Sequence, residues 1–417
     1  MGVAAVALIA LVVFSWGLLS ARLGRADLSA PIVFVTVGLL LAEVLPDLTS
    51  ESVKLFAEVT LVWVLFADAS RVGLRELRAD LGLYARLLGL GLPLTIAAGT
   101  VLAVWVLDGA GLWMALLVGA ALAPTDAALG SSVMTNPAVP ERIRRVINVE
   151  SGLNDGIATP VVMVAIAGVL AAEDAQQHGV SAALVELAIG LAAGIAVGTV
   201  GGQGLRMARR RGWASDDFTG PAVLALSLFS YAGALWLHGN GFVAAFVAGL
   251  AFGHFARRGG AKEVYYVEQT AGLMSLLTWL LFGAVAVPIV LGSADWRIVA
   301  YAILSLTLVR MLPVALVLIG TRLPASTVAF IGWFGPRGLA SVIFAVIALE
   351  ELHGEADSAV AVIGLTVLFS VLAHGFSAKP LAGRYAASVA HHAHAAPDRP
   401  PVPVRGLVPH PEVRDTR

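Results

Sequence analysis

Thirteen apolar segments, each close to the length of a membrane-crossing helix, occupy most of the chain, and short polar loops separate them. A helix needs about 20 mainly apolar residues to cross the hydrocarbon core of a bilayer. Such segments predict an all-α polytopic membrane protein, with residues 1–385 forming its transmembrane domain. The predicted spans, numbered in order, are residues 3–20, 29–45, 53–69, 86–107, 111–133, 142–171, 181–205, 219–237, 241–255, 264–291, 297–319, 325–349 and 357–379.

The composition supports this class of protein. Hydrophobic residues make up 58% of the chain and charged residues 13%, and the mean hydropathy is +0.86, far from the values of soluble domains. The chain has no cysteine, which excludes a disulfide, a thiolate nucleophile and a Cys-ligated metal. We expect a lipid environment, no nucleic-acid partner and no bound cofactor.

The distribution of charge between loops predicts the orientation, because Lys and Arg accumulate on the cytoplasmic side of membrane proteins. The odd-numbered loops hold Arg22, Arg25, Arg71, Arg75, Arg78, Arg142, Arg144, Arg145, Arg206, Arg209, Arg210, Arg211, Arg257, Arg258, Lys262 and Arg322. The even-numbered loops hold Asp47, Glu51, Asp108, Glu173, Asp174, Asp295, Glu350, Glu351, Glu355 and Asp357, with Arg297 as their one basic residue. The N-terminus is therefore predicted outside the plasma (inner) membrane and the C-terminus in the cytoplasm.

The two ends of the chain carry separate expectations. A cleaved signal peptide over residues 1–21 is an alternative to span 1, but no Lys or Arg precedes the apolar run. Residues 386–417 are rich in Ala, His, Pro and Arg and are predicted to be a disordered cytoplasmic tail.

Spans 5 and 12 contain residues that break helices. Span 5 has Pro124 in its middle, with Asp126 beside it. Span 12 has Gly332, Gly335, Pro336, Arg337 and Gly338. If spans 1–6 and 8–13 are two repeats joined by span 7, the breaks correspond, and their offset of seven spans makes the repeats inverted. Inverted repeats with broken helices carry the substrate site of many transporters at the break, whereas ordinary proline kinks are the alternative.

Asp126 and Asp155 lie deep in apolar spans, where burying an ionised carboxylate costs roughly 2.5 kcal/mol or more. Asp155 belongs to a helical stripe in span 6, at positions i, i+1, i+4 and i+5, that consists of Glu150, Ser151, Asn154 and Asp155. Gly152 and Gly156 in the same span offer a small surface, on which the broken span 5 is expected to dock. Ser151 and Asn154 are alternatively plain interhelical hydrogen-bonding residues, but a lone carboxylate is expensive for that purpose.

Few positive charges are available inside the membrane. Arg310 lies in the middle of span 11, and Glu150 is its predicted partner, since a buried ion pair broken on one side leaves a costly charge. Arg337 either has an acidic neighbour or offsets the negative carbonyl end of a broken helix.

The charges within the membrane favour a cationic substrate. The four acids Asp68, Asp126, Glu150 and Asp155 against two arginines leave a net charge of −2 if all ionise, although Asp68 is alternatively solvated near the inner end of span 3. Hard monovalent cations prefer oxygen ligands. The candidate ion-binding residues are Asp155, Asp126, Asn154, Ser151, Thr125 and Asp68, the cation itself being coordinated by Asp155, Asp126, Ser151 and Thr125.

These motifs resemble those of the monovalent cation:proton antiporters of the NhaP and sodium/proton-exchanger type. The resemblance is carried by Pro124-Thr125-Asp126, by the run from Glu150 to Gly156, by Arg310 to Pro313 and by Gly335-Pro336-Arg337-Gly338, and it extends over about residues 1–385. The Glu-Ser-Gly-Leu-Asn-Asp-Gly run is highly specific, whereas the Pro-Thr-Asp triplet alone is weak.

The resemblance implies a homodimer with a core domain and a dimer-interface domain, in which two discontinuous helices cross in the core. It implies that Asp155 is the carrier site, lined by Asp126 and Thr125 and assisted by Ser151, with Glu150 and Arg310 as a structural pair. An Asn154–Asp155 dyad, in place of two aspartates, is associated with electroneutral exchange in that family. Ala127 replaces a proline that the family often has, which loosens the predicted crossing geometry.

The residues also favour this function on physical grounds, because a proton and a cation would compete for the one carboxylate of Asp155. Na⁺ is the expected cation, with Li⁺ and K⁺ as alternatives. A cation channel is disfavoured because no ring motif repeats. An intramembrane aspartyl protease would have no use for Asn154 or for an Arg–Glu pair, and an organic-anion transporter needs buried positive charge. We therefore expect a transporter and no enzyme.

Overall fold

The computed structural model describes residues 3–26, 28–43, 50–72, 77–78, 80–109, 111–127, 129–134, 136–173, 179–256, 261–352 and 355–393. Within these ranges the regular structure is helical, as the apolar segments predict. The helices are α1 Val3–Arg25, α2 Ala30–Leu40, α3 Ser50–Arg71, α4 Leu81–Val106, α5a Leu112–Ala121, α5b Ser131–Met134, α6 Glu141–Glu173, α7 Gly179–Arg210, α8 Asp216–Trp236, α9 Gly241–Ala256, α10 Lys262–Gly292, α11 Trp296–Val317, α12a Ala325–Trp333, α12b Leu339–Leu352 and α13 Asp357–Ala393.

Each predicted span overlaps one of these helices or a pair of half-helices. Among the described residues, eight helical stretches are long and apolar enough to cross a membrane, and α2, α5a and α9 are apolar but shorter. The chain is therefore a multi-pass, all-helical membrane protein. The number of crossings, the inverted repeat and the orientation stay predictions.

Both predicted helix breaks are present. The α5a helix ends at Ala121, and residues 122–127, 129 and 130 are not helical. The α12a helix ends at Trp333, and α12b begins at Leu339. Pro124 and Pro336 lie in these breaks, where the missing proline N–H removes a helical hydrogen bond.

The helices pack into two bundles. The core bundle consists of α4, α5a, α6, α11, α12a, α12b and α13, and the second bundle of α2, α3, α7, α8, α9 and α10. The two bundles meet where α3, α7 and α9 pack against α6, where α3 packs against α12b and where α10 packs against α13. The part of this surface formed by α3 and α9 against α6, and by α3 against α12b, is called the seam below. The resemblance predicts a core domain and a dimer-interface domain, and the assignment of the second bundle to a dimer interface stays a prediction.

One packing expectation is wrong. The glycine surface of α6 meets the second bundle and not the broken α5: Gly152 faces Asp68 of α3, and Gly156 lies against Phe246 of α9 so closely that a Cβ would overlap the ring. The physical reason is that the break after α5a is held by the break after α12a, through hydrogen bonds described below. The glycines therefore let the two bundles approach each other across the seam.

The predicted boundary of the tail is also too early. The α13 helix continues to Ala393, eight residues beyond residue 385. Ala386, Ala387 and Ala390 are strong helix formers, so the helix continues into a segment whose composition predicted disorder. Residues 394–417 lie outside the described residues, so that part of the tail stays a prediction.

Candidate functional site

The two helix breaks cross in the core bundle and are joined through their backbones. The Asp126 N–H donates to the Pro336 carbonyl at 2.8 Å. The Ser341 hydroxyl of α12b donates to the carbonyl of Ala121, the last residue of α5a, at 2.6 Å. These bonds satisfy backbone groups that a broken helix leaves without partners.

The sequence predicts that Arg337 has either an acidic neighbour or carbonyl oxygens at a broken helix end as its partners, and the structure shows the carbonyl oxygens. Its Nη1 atom donates to the Ala123 carbonyl at 2.8 Å and to the Pro124 carbonyl at 3.4 Å, and its Nη2 atom is 3.5 Å from the Ser305 carbonyl. The side chain is fully buried. Its positive charge therefore offsets the negative carbonyl end of α5a.

Asp126 binds the start of α12b, the second half of the other broken helix. Its Oδ2 atom accepts the N–H of Leu339, the first residue of α12b, at 2.9 Å, and its Oδ1 atom accepts the Leu129 N–H at 3.4 Å. A carboxylate at a helix N-terminus stabilises the exposed N–H groups and the positive end of the helix dipole. A Cβ at Gly338 would overlap the Asp126 carboxylate, so a glycine is needed at this position.

The carboxyl group of Asp155 faces a small cavity between the crossing and α6. The cavity is lined by Pro124, Thr125, Asp126, Asp155, Gly338, Ala340 and Ser341. Asp155 is 8% exposed, and its Oδ1 atom accepts no hydrogen bond from the residues that the structure describes. Buried polar atoms are nearly always paired, so this oxygen lacks the partner that a bound proton or cation would supply.

Three neutral side chains form a hydrogen-bonded chain beside this carboxylate. Asn154 Nδ2 donates to Thr125 Oγ1 at 2.7 Å, and Thr125 Oγ1 and Ser151 Oγ share a hydrogen bond of 2.9 Å. All three residues are buried, and Asn154 Oδ1 has no partner among the described residues. The predicted residues of α6 and of the first break therefore come together, and their carboxylate, hydroxyl and amide oxygens are the ligands that hard cations prefer.

Glu150 and Arg310 lie next to this chain as a buried ion pair. Arg310 Nη2 donates to Glu150 Oε1 at 2.6 Å, and both side chains are almost fully buried. This is the pairing that the sequence predicts. Because Arg310 already compensates its charge, Glu150 is not available to a cation in this arrangement.

Asp68 lies across the seam from α6. Its Cβ is close to Gly152, and it is near enough to Asp155 for the two negative charges to repel each other, as Asp126 and Asp155 also do. The side chain is half-buried. Asp68 therefore lies at the edge of the site. The sequence allowed two interpretations, a cation ligand or a solvated residue, and this position does not decide between them.

Sequence reasoning does not single out two serines that hold the crossing. Ser341 binds the end of α5a, as described above, and Ser370 of α13 accepts the backbone N–H of Arg337 at 2.7 Å. One turn further along α13, His374 Nε2 is 2.9 Å from the Trp333 carbonyl at the end of α12a. Serine is common in membrane helices, so the one available signal is the i, i+4 spacing of Ser370 and His374.

The residues of α6 near the site are more exposed toward one face of the protein. Along one stripe of α6, Asn148 is exposed, Gly152 is half-buried, Asp155 is 8% exposed and Thr159 is fully buried. Gly152 faces Asp68 across the seam, so the stripe lies in the seam. The α6 helix begins at the face that carries the arginines of the odd-numbered loops. The exposure of the residues in this stripe therefore decreases from the basic face toward Asp155 and beyond it.

Comparison with known proteins agrees with the fold and with the family resemblance. A family model described as "Sodium/hydrogen exchanger, transmembrane" matches residues 7–384. The solved sodium proton antiporter MjNhaP1 of Methanocaldococcus jannaschii superimposes with a TM-score of 0.72 at 18% identity, covering 92% of this chain and 98% of that one. At this identity the likeness supports the fold alone.

Two relatives have higher identity. The chain is 29% identical over 377 residues to the K⁺/H⁺ antiporter NhaP of Alkalimonas amylolytica, covering 88% of this chain but 63% of that protein. It is 30% identical over 365 residues to the Na⁺/H⁺ antiporter NhaP of Pseudomonas aeruginosa, covering 79% of this chain and 81% of that protein. With the family model matching most of its length, this chain belongs to the sodium/hydrogen exchanger family.

Proposed function

We propose that this protein is a secondary active transporter that exchanges a monovalent cation for H⁺ across the plasma (inner) membrane, with its N-terminus outside and its C-terminus in the cytoplasm. The observation that carries the proposal is the buried Oδ1 atom of Asp155, which has no hydrogen-bond partner among the described residues and lies at a cavity also lined by Thr125, Asp126 and Ser341. Na⁺ is the first candidate. The relatives above are named for K⁺/H⁺ and Na⁺/H⁺ exchange, so a cation series has to decide among Na⁺, Li⁺ and K⁺.

The coupling follows from one site with two competing occupants. Asp155 binds either a proton or a cation, and both neutralise its charge. A bare carboxylate is costly to move through a low-dielectric environment, so the core bundle reorients only when Asp155 is occupied. The cation is released on one side of the membrane and replaced there by a proton, and the proton is released on the other side. Movement of one ion down its gradient therefore drives the other in the opposite direction.

The neighbouring residues have different roles in this scheme. Thr125, Ser151 and Asn154 supply oxygens and hold the cavity in shape, while Asp126 lines the cavity and caps α12b. Glu150 and Arg310 compensate each other, as Arg337 and the α5a carbonyls do, so the remaining negative charge comes from Asp155, Asp126 and Asp68. That excess attracts cations and disfavours anions.

The exchange is proposed to be electroneutral. Asn154 does not titrate, and its amide group already donates to Thr125. One cation against one proton at Asp155 moves no net charge. The homodimer is a further expectation of the family resemblance, and the disordered cytoplasmic tail after residue 393 is an expectation from the composition of residues 386–417. Both need separate tests.

Inverted vesicles that contain the protein test the proposal directly. After a pH gradient is imposed, Na⁺, Li⁺ or K⁺ should dissipate it, and Asp155→Asn should abolish this response. Asp217→Asn, at an exposed carboxylate in the first turn of α8, is the matched control and should retain full exchange. An imposed membrane potential should not change the rate.

Two outcomes would overturn the proposal. Full exchange by Asp155→Asn would exclude Asp155 as the carrier site. A cation current without proton movement would favour a channel, and peptide hydrolysis in detergent would favour a protease.

A further inference from the structure

The ion pairs of the described residues sort by bundle, with one exception. Within the core bundle, Glu150 pairs with Arg310, Arg142 and Arg145 with Asp80, and Asp108 with Arg297. Within the second bundle, Arg71 pairs with Glu268, Arg209 with Glu263 and Asp216, and Lys262 with Asp216. The exception is Lys54 of α3, whose Nζ atom lies 2.5 Å from Oε1 of Glu351 in α12b. This pair joins the two bundles across the seam.

The pair lies at the end of the seam that is remote from the basic face. Lys54 is near the start of α3 and Glu351 is near the end of α12b, whereas Asp68 lies near the other end of α3. The 14 residues from Lys54 to Asp68 correspond to about 21 Å along a helix. At the basic end, Asn148 of α6 is exposed and Gly152, which faces Asp68 across the seam, is half-buried. The seam is therefore more exposed on the basic side of Asp155, and a salt bridge joins the two bundles on the other side.

We propose that Lys54 and Glu351 form an outer latch that closes the seam when Asp155 faces the cytoplasm. This inference rests on the proposed exchange function, in which Asp155 must be reached alternately from the two sides. Exposing Asp155 to the outside requires the core bundle to separate from α3 at this end, so the pair has to break in every cycle.

The strength of the pair suits a latch that opens. The two side chains are 29% and 41% exposed, and ion pairs with this exposure are worth little because water screens them. Loss of the pair should therefore shift the equilibrium between the state in which Asp155 faces the cytoplasm and the state in which it faces the outside by about two- to five-fold. A fully buried pair such as Glu150–Arg310 would hold the carrier in one state.

The surroundings of the latch decide how it is tested. Glu58 of α3 and Glu350 of α12b are also close enough to act on Lys54, and Tyr231 of α8 donates to Glu58 at 3.0 Å. After Glu351→Gln, Glu350 remains as a second acceptor on α12b for Lys54. Lys54→Gln removes the basic partner of all three acids, so it is the sharper variant.

The absence of cysteine from the chain permits a clean accessibility experiment. Ala57 lies one turn after Lys54 on the same face of α3 and is 2% exposed, so Ala57→Cys places a reporter behind the latch. The reporter is labelled from outside with a membrane-impermeant maleimide in right-side-out vesicles, without any ion gradient. We expect Lys54→Gln to raise the labelling rate about two- to five-fold, and the exchanged pair Lys54→Glu with Glu351→Lys to restore the original rate.

The controls separate a latch from general loosening. Lys262→Gln removes an exposed lysine whose partner Asp216 is in the same bundle, and it should leave the labelling rate unchanged. An unchanged rate in Lys54→Gln, or a raised rate that the exchanged pair fails to restore, would overturn the latch. Labelling does not require transport, so a positive labelling result with no cation–proton exchange would reject the proposed function and keep the latch as a conformational device.

Discussion

The Asp126 carboxylate accepts the backbone N–H of Leu339 at 2.9 Å, so a side chain from one broken helix caps the second half of the other. The same carboxylate lines the cavity that Asp155 faces. Asp126 thus links the architecture of the crossing to the charge of the site. Variants of Asp126 should separate these two roles.

Asp126→Asn keeps an oxygen for the Leu339 N–H but removes the charge. We expect this variant to fold normally and to show a raised KM for the cation. Asp126→Ala removes the cap as well, which typically costs about 0.5–2 kcal/mol. Thermal unfolding in detergent measures the stability lost with the cap, and vesicle exchange measures the KM for the cation. Equal stability of Asn and Ala at this position would argue against the capping role.

Replacing Arg310 with Met should destabilise the protein strongly, because it leaves Glu150 charged and buried without its 2.6 Å partner. Removing one member of a buried pair costs about 3–5 kcal/mol. The double variant Glu150→Gln with Arg310→Met should recover part of this loss, since no unpaired charge remains. Thermal unfolding of the wild type, both single variants and the double variant gives the coupling. Additive effects of the two substitutions would contradict a direct interaction.

Gly338→Ala should disrupt the crossing, because the added Cβ would overlap the Asp126 carboxylate. Overpacking of this kind typically costs about 1–3 kcal/mol. The expected result is a lower melting temperature together with lost or slowed exchange. Gly383→Ala is the matched control in α13, where a Cβ meets nothing within 4 Å, and it should leave both properties intact. Tolerance of alanine at both positions would count against the observed crossing geometry.

Thr125→Val removes the hydroxyl that joins Asn154 to Ser151 at 2.7 and 2.9 Å. The Asn154 amide then lacks its acceptor, at a cost of about 1–3 kcal/mol, and the cavity loses one cation ligand. We expect a higher KM for the cation in vesicle exchange. Thr125→Ser keeps the hydroxyl and should retain near-normal KM. If Ser and Val behaved alike, the hydroxyl would have no part in binding.

Local patterns in the sequence determined the helical spans, both helix breaks and the stripe of Glu150, Ser151, Asn154 and Asp155. Hydropathy over 20 residues, the missing proline N–H and the helical period are properties of neighbouring residues, so they can be read along the chain. The Glu150–Arg310 pair was also predictable, because a buried arginine needs a counter-charge and few acids were available.

The tertiary structure decided which surfaces meet. The rotation of each helix and the order of helices in space are not encoded in any short window, and they place Gly152 against Asp68 where the sequence suggested span 5. They also direct Arg337 to carbonyl oxygens, make Asp126 a cap, and bring Lys54 to Glu351 across 297 positions of the chain. Contacts of this kind depend on how both bundles pack against each other. The polar residues that gather at the crossing were therefore predictable from the sequence, whereas much of their hydrogen bonding was not.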